Sequence, residues 1–378
     1  YALDAMIMVL SHGRGARMKQ NIINQGLAVE AWSYNPDNRY GGMLIVGGSP
    51  NEPEILKKTS DRLSEDQQRK AYLAACEKLE ALLVAELEKI KTEAVSAREL
   101  ARIKKLNQRD FLDRMRSNES LAGTLATLEV QVGWRYLKDY LARIDAVTPT
   151  DVQKAAQKYV RSDNKTVVYV IPGGQQDKPP AQYTEVRNIS SSAAANLTFK
   201  GDNKNRSQYP TPRGWKHPLS FKRDPQKIKY PRAETFEVEK VKVFYLPDTE
   251  LPLIDLTILL KAGSVDLAES KTGLADVFNN VLVRGGTQDL SPGELALVLD
   301  ENAIQLSVSV DEEQTSVRLS VMTADWEKGL EILQAVLTRP GFDPTVLQVA
   351  KNQERVALKR QGEDAMSVAM REAPSMAP

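Results

Sequence analysis

Gly273-Leu274-Ala275-Asp276-Val277-Phe278-Asn279-Asn280, followed by Gly285-Gly286-Thr287, is the stretch that decides how this chain is read. A hydrolytic zinc centre needs neutral imidazoles or thiolates and a carboxylate. Two ligands stand on one helix face about a turn apart, with an acid near them to activate water. Asp276, Asn279 and Asn280 occupy that spacing on a helix-forming segment, but two carboxamides cannot take the place of imidazole and base. The segment therefore has the outline of a metal helix without its chemistry.

The frame around these positions resembles that of the insulinase/pitrilysin-like peptidases, family M16, whose motif is His-x-x-Glu-His set between Gly-Leu-Ala and a later Gly-Thr. By that resemblance Asp276, Asn279 and Asn280 stand where the family has histidine, glutamate and histidine. The family's third ligand, a glutamate on a later helix, falls near Ala357 when counted from Phe342, and Glu354 about one turn away is the nearby acid. We expect no catalytic residue and no metal ligand in this chain, and the sequence assigns no peptide-binding residue. A pairing of Asp276 with Asp289 or Glu294 for another hydrolysis would need convergence in a cleft, which sequence alone does not show.

Around the motif the order of elements is similar to one M16 lobe. Leu251 to Lys261 reads as a strand ending in Ala262-Gly263-Ser264. Ser291-Pro292 opens a helix, Ile304 to Val310 and Thr315 to Met322 alternate as a hairpin, and Trp326 to Leu337 is a helix stopped by Pro340-Gly341-Phe342. Upstream, Ser64 and Gln67 form a capping box for a helix carrying Leu73, Cys76, Leu83, Leu87 and Ile90 on one face. A helix follows Ser96 with its charged residues read as a solvated face, and another covers Leu121 to Ile144. Thr148-Pro149-Thr150-Asp151 starts one more, with Ala155, Ala156, Tyr159 and Val160 inward, and Thr166 to Ile171 reads as its closing strand. Tyr1 to Leu10 is helical, and the turn at Gly13 and Gly15 leads through Arg17-Met18 to a strand at Met43 to Gly47. This order resembles a second M16 lobe.

The chain's 378 residues exceed one ordinary core. We expect an α+β architecture of LuxS/MPP-like lobes, each an antiparallel sheet with helices on one face. Residues 1–172 would form one lobe, lacking its first strand, 173–232 a basic Pro/Ser/Asn-rich linker, and 233–378 a truncated lobe with the degenerate motif. Ten Lys or Arg from Lys200 to Arg232, interleaved with Tyr209, Trp215 and Phe221, suggest a tether with aromatic docking points. A formal charge of +1 gives no global reason to expect nucleic acid, and no apolar run is long enough to span a membrane. One cysteine, Cys76, excludes an internal disulfide and reads as a buried structural thiol. The two histidines are His12, in an exposed turn, and His217.

The resemblance implies a non-catalytic, substrate-enclosing part of a zinc metalloendopeptidase that acts on peptides or unfolded protein segments. Zinc would be held in the parent protein, upstream of Tyr1. A wholly inactive homologue serving as a binding or scaffold subunit is the alternative. Its partners would be peptide substrate and either the N-terminal lobe or a catalytic M16 partner, and bacterial relatives point to the periplasm.

Overall fold

The computed structural model describes residues 1–36, 40–59, 63–171, 214, 216, 230–360 and 368. The basic stretch from Lys200 to Arg232 with its aromatics, His217, and Met366 to Pro378 fall almost wholly outside them. Described residues of Tyr1–Pro172 and Glu250–Pro378 form one compact unit, and those of Gly173–Thr249 form another.

In the smaller unit the described strands β3 (Glu234–Val238) and β4 (Val241–Tyr245) pair antiparallel. They turn through Glu239 and Lys240, both at positive φ (48° and 73°), which matches the twist of a tight hairpin but strains residues that carry a Cβ.

The larger unit has two separate apolar cores. The first gathers α1 (Ala2–Ser11), the π-turn Lys19–Ile23, β1 (Ala28–Tyr34), α3 (Glu65–Thr92), α4 (Ala97–Met115) and α7 (Pro149–Tyr159). β1 pairs antiparallel with β2 (Ile45–Pro50), and a short α2 (Glu54–Thr59) precedes α3. The expected caps Ser64, with Gln67, and Thr148, with Asp151, are in place as reciprocal capping boxes, and Ser96 with Glu99 forms a third. Four sequence expectations change. Leu121 to Ile144 is two helices, α5 (Asn118–Gln131) and α6 (Tyr136–Asp145), because Val132 and Gly133 both close their N–H groups on the Leu128 carbonyl, at 2.9 and 2.7 Å. Thr166 to Ile171 joins no sheet among the described residues, and Val168 and Val170 are exposed. Tyr159 also faces outward, half exposed. Cys76 is only partly buried, and desolvation together with Glu77 raises its thiol pKa, so it stays protonated.

The second core lies on one face of a sheet ordered β5 (Leu253–Leu260), β7 (Thr315–Met322), β6 (Gln305–Val310). Central β7 contributes Val317, Leu319 and Val321, flanked by Ile254, Leu256 and Ile258 of β5 and Leu306 and Val308 of β6. Leu295 and Leu299 of α9 (Pro292–Glu301) and Ile332, Leu333 and Val336 of α10 (Trp326–Thr338) complete it. Each fully buried aliphatic side chain here contributes about 1.5–3 kcal/mol. The α+β class is as the sequence implied, but helices cover both faces of this sheet, since α4 lies against the face opposite α9 and α10.

The cores meet along a polar seam, which corrects the reading of α4 as a helix with a solvated charged face. Arg102 and Arg109 are 2% and 1% exposed. Register aligns Asp255, Ser320 and Gln305 in a row across the three strands, on the face away from the core. α4 grips that row: Arg109 donates to Ser320 Oγ at 2.6 Å, Gln305 donates to Asp113 at 3.1 Å, and Arg116 pairs with Asp255.

At the start of α4, Glu99 accepts from Arg17 Nε at 2.6 Å as well as from Ser96. Burial alone would raise this carboxyl, but the hydrogen bonds from Arg17 and Ser96 outweigh it and hold the pKa down at about 2. A depressed carboxyl contributes stability above its unfolded value of roughly 4.3 and loses it as pH falls through the folded value. Glu99→Gln is therefore expected to lower stability at pH 7 by about 1–2 kcal/mol, discounted because both side chains keep some contact with solvent, and to narrow the difference from wild type between pH 4 and pH 2. Urea midpoints across that range check it.

Candidate functional site

α8 (Leu274–Val281) carries the degenerate motif, and α11 (Pro344–Arg360) packs beside it. Each motif position has its own place. Asp276 is exposed on the first turn, and its backbone carbonyl accepts from Asn280 Nδ2 at 3.1 Å. Asn279 turns inward, where its Oδ1 accepts from the Val310 backbone N–H at 2.8 Å and so satisfies the end of β6. Asn280 Nδ2 also donates to Glu354 Oε1 at 2.9 Å.

Glu354, which the count from Phe342 had set a turn short of the ligand position, is thus the acid that reaches the helix. One turn further on, Arg284 Nη1 donates to Gln353 Oε1 at 3.2 Å, giving a second rung between the two segments. Glu354 faces an amide donor at the place where the family has a second metal-bound imidazole. A carboxamide nitrogen holding a carboxylate is a hydrogen-bond pair, not a zinc donor set. Among the described residues no three His, Cys, Asp or Glu side chains stand close enough to hold a metal ion. The residues present do not fit zinc.

The other acids weighed from sequence do not converge with Asp276. Asp289 pairs with Arg339 at 2.5 Å, and Glu294 caps its own helix through Ser291. His12, 42% exposed, has Nε2 3.1 Å from Asp110 Oδ2, far in sequence from the motif helix.

The frame around the motif is a backbone clasp. Gly341 N–H donates to Gly286 O at 3.0 Å, Asp343 N–H to Gly285 O at 3.1 Å, and Gln288 N–H to Arg339 O at 2.9 Å. A Cβ at Gly285 would stand 2.8 Å from Val281 O, and one at Gly286, where φ is +77°, would stand 2.6 Å from Leu290 O. Gly-Gly-Thr and Pro-Gly-Phe meet because neither side carries a Cβ where the backbones cross. Phe278 then stacks at a tilt on Phe342, ring centres 6.3 Å apart.

Residues 247–373 match the family model described as Insulinase (Peptidase family M16), a span that contains both the clasp and the motif helix. These residues are a segment of peptidase family M16. Over 175 residues the chain is 26% identical to "Zinc protease PqqE" of Helicobacter pylori, covering 45% of this chain and 34% of that protein. Over 125 residues it is 27% identical to "Non-peptidase homolog YmxG" of the same organism, covering 33% of this chain and 29% of that one. It therefore spans about a third of the length of the curated relatives it matches. Among solved structures it is similar to the periplasmic protease PqqL of Escherichia coli, at 14% identity and a TM-score of 0.34, covering 98% of this chain and 39% of that one. The matched segment thus carries the family frame, with Asn279 and Asn280 of the motif holding structure together. The expectation that sequence alone could not supply was the duty of each amide: their partners lie 31 and 74 positions away.

Proposed function

We propose that this chain is a non-catalytic, substrate-enclosing part of a zinc metalloendopeptidase that acts on peptides or unfolded protein segments. One observation carries the reading: the family frame is built, while the three positions that would hold and activate zinc carry an exposed aspartate and two asparagines with structural hydrogen bonds. In this reading the three divisions 1–172, 173–232 and 233–378 are lobe, tether and lobe, and the catalytic zinc belongs to residues of the parent protein other than these. A peptide would be held by surfaces of the chain and presented to a partner lobe, or to a catalytic M16 partner, that carries the metal. Placement in the periplasm goes with this reading. No described helix is long and apolar enough to cross a membrane.

A second reading, a wholly inactive homologue that serves as a binding subunit, is favoured by the similarity to a protein named as a non-peptidase homologue.

Metal analysis combined with a quenched-peptide cleavage assay, on this chain and on the intact parent, separates the two. We expect far less than one zinc per molecule and no chelator-sensitive cleavage from the chain alone. Near-stoichiometric zinc and chelator-sensitive cleavage in the parent support the first reading, and neither in the parent supports the second. Stoichiometric zinc in the chain alone would overturn the assignment of Asp276, Asn279 and Asn280.

A further inference from the structure

The helix layer over the second core is not closed. Between α9 and α10 lies a cleft of about 180 Å³, walled by Leu295 and Val298 of α9 and by Ile332 and Ala335 of α10, with Leu290 contributed by the loop before α9. Leu295 and Ile332 are 1% and 3% exposed and belong to the core, so the cleft reaches down to it. Positions 295 and 298, and 328, 332, 335 and 339, recur at steps of three and four, so each helix turns one row of side chains to the space. Ala335 is the smallest side chain of its row and the position at which added bulk would enter the cleft.

Charged pairs stand around these apolar walls. Arg339 pairs with Asp289 at 2.5 Å and Lys328 with Glu331 at 2.8 Å, and all four side chains are exposed. Each cation has its acid, so the lining carries no net charge. The loop that supplies Asp289 and Leu290 is fixed by hydrogen bonds: Thr287 Oγ1 accepts from both of their N–H groups, at 3.3 and 3.0 Å, and Gln288 N–H donates to Arg339 O at 2.9 Å. None of Asp276, Asn279 and Asn280 lines the cleft.

Size and lining together choose an occupant. Sites for cofactors and other large ligands run to about 300–1,000 Å³, which this cleft does not reach. An aliphatic cavity of about 150 Å³ in another protein stays dry and takes up benzene, so the space suits one ring or one branched side chain. A neutral rim gives a charged group no net attraction. Its carboxylates can accept from backbone N–H groups, and its cations can donate to carbonyls, on either side of a held side chain. We propose that the cleft between α9 and α10 is a pocket for one apolar side chain, phenylalanine or leucine, of an extended peptide. This rests on the peptide-holding reading above and names the residue that is held.

The test is fluorescence anisotropy with three labelled, unstructured peptides of one sequence that carry Phe, Leu or Ala at one central position. Wild type is expected to bind the Phe and Leu peptides about tenfold tighter than the Ala peptide. High salt should leave that preference in place, because apolar burial is not screened, and its loss in salt would overturn the pocket. Ala335→Phe fills the cleft from within and should bind all three peptides as weakly as wild type binds the Ala peptide. A preference that survives Ala335→Phe overturns the pocket. Equal binding of the three by wild type overturns it as well but leaves peptide holding intact, whereas no binding of any overturns both. Circular dichroism shows whether Ala335→Phe folds. If it does not, methyl NMR of wild type decides: the Val298 and Ile332 methyl signals should shift with the Phe peptide and not with the Ala peptide, and signals that stay in place overturn the pocket.

Discussion

Replacing Asp300 with alanine is expected to destabilise the protein by about 3–5 kcal/mol, because it leaves a buried guanidinium without its counter-charge. Arg102 and Asp300 have side-chain exposures of 1% and 6%, and Nε and Nη2 of Arg102 already lack partners. The pair is not a gain over an apolar seam of the same shape, since removing two charges from water costs nearly what their attraction returns. The large effect comes from breaking it on one side. Asp300→Asn should cost less, as an amide oxygen still accepts from Gly15 N–H. A double change to Arg102→Met with Asp300→Leu should recover much of the loss. Arg98 and Glu301 pair one residue along, but Arg98 is 69% exposed, so Arg98→Ala should leave the urea midpoint where it is. Urea midpoints of the four variants decide the matter. If Asp300→Ala matches Arg98→Ala, the seam does not hold the two cores together.

That seam is also where the sequence said least. Helix starts were legible, because a cap acts within four residues: Ser64 with Gln67, Thr148 with Asp151 and Ser291 with Glu294 all lie where local chemistry put them. The β6–β7 hairpin was legible for a related reason, since period-two alternation states which face is buried. β1 gave no such signal, because Ala28, Glu30, Ala31 and Ser33 have weak strand preference and its pairing depends on β2. Thr166 to Ile171 is the opposite case, β-branched at every position but Tyr169 yet in no sheet among the described residues. Arg102 and Arg109 looked like any charged helix face until a second segment, some 200 positions later, brought Asp300 and Ser320 against them. At the motif, residue type alone excluded zinc chemistry, since carboxamides are poor donors whatever surrounds them. What the amides do instead depends on Val310 and Glu354 and is visible only in the fold.

Gly263→Ala is expected to cost at least about 3 kcal/mol, while the same substitution at Gly123 is expected to stabilise the protein by roughly 0.5–1 kcal/mol. A Cβ at Gly263 would stand 2.0 Å from Glu312 O, 2.4 Å from Glu312 C and 2.6 Å from Glu313 N. All three are backbone atoms of the β6–β7 connection, and no rotamer change moves them. Relief requires the end of β5 to withdraw, which breaks Ser264 N–H to Asp311 O at 2.9 Å and Val265 N–H to Glu312 O at 3.0 Å. At Gly123, on an exposed face of α5, a Cβ meets nothing within 4 Å, so alanine only reduces the freedom of the unfolded chain. Thermal melts of the two variants should move in opposite directions. The pair also tests why the family frame and the motif differ here. Ala262-Gly263-Ser264 and Gly285-Gly286-Thr287 sit where backbones cross, so the fold needs them whether or not zinc is bound. Asp276 faces solvent and Asn280 faces one acid across a helix pair, so those positions tolerate other residues once no metal is to be held. A Gly263→Ala variant that melts with wild type would remove that explanation, because the frame would then be no more constrained by packing than the ligand positions it surrounds.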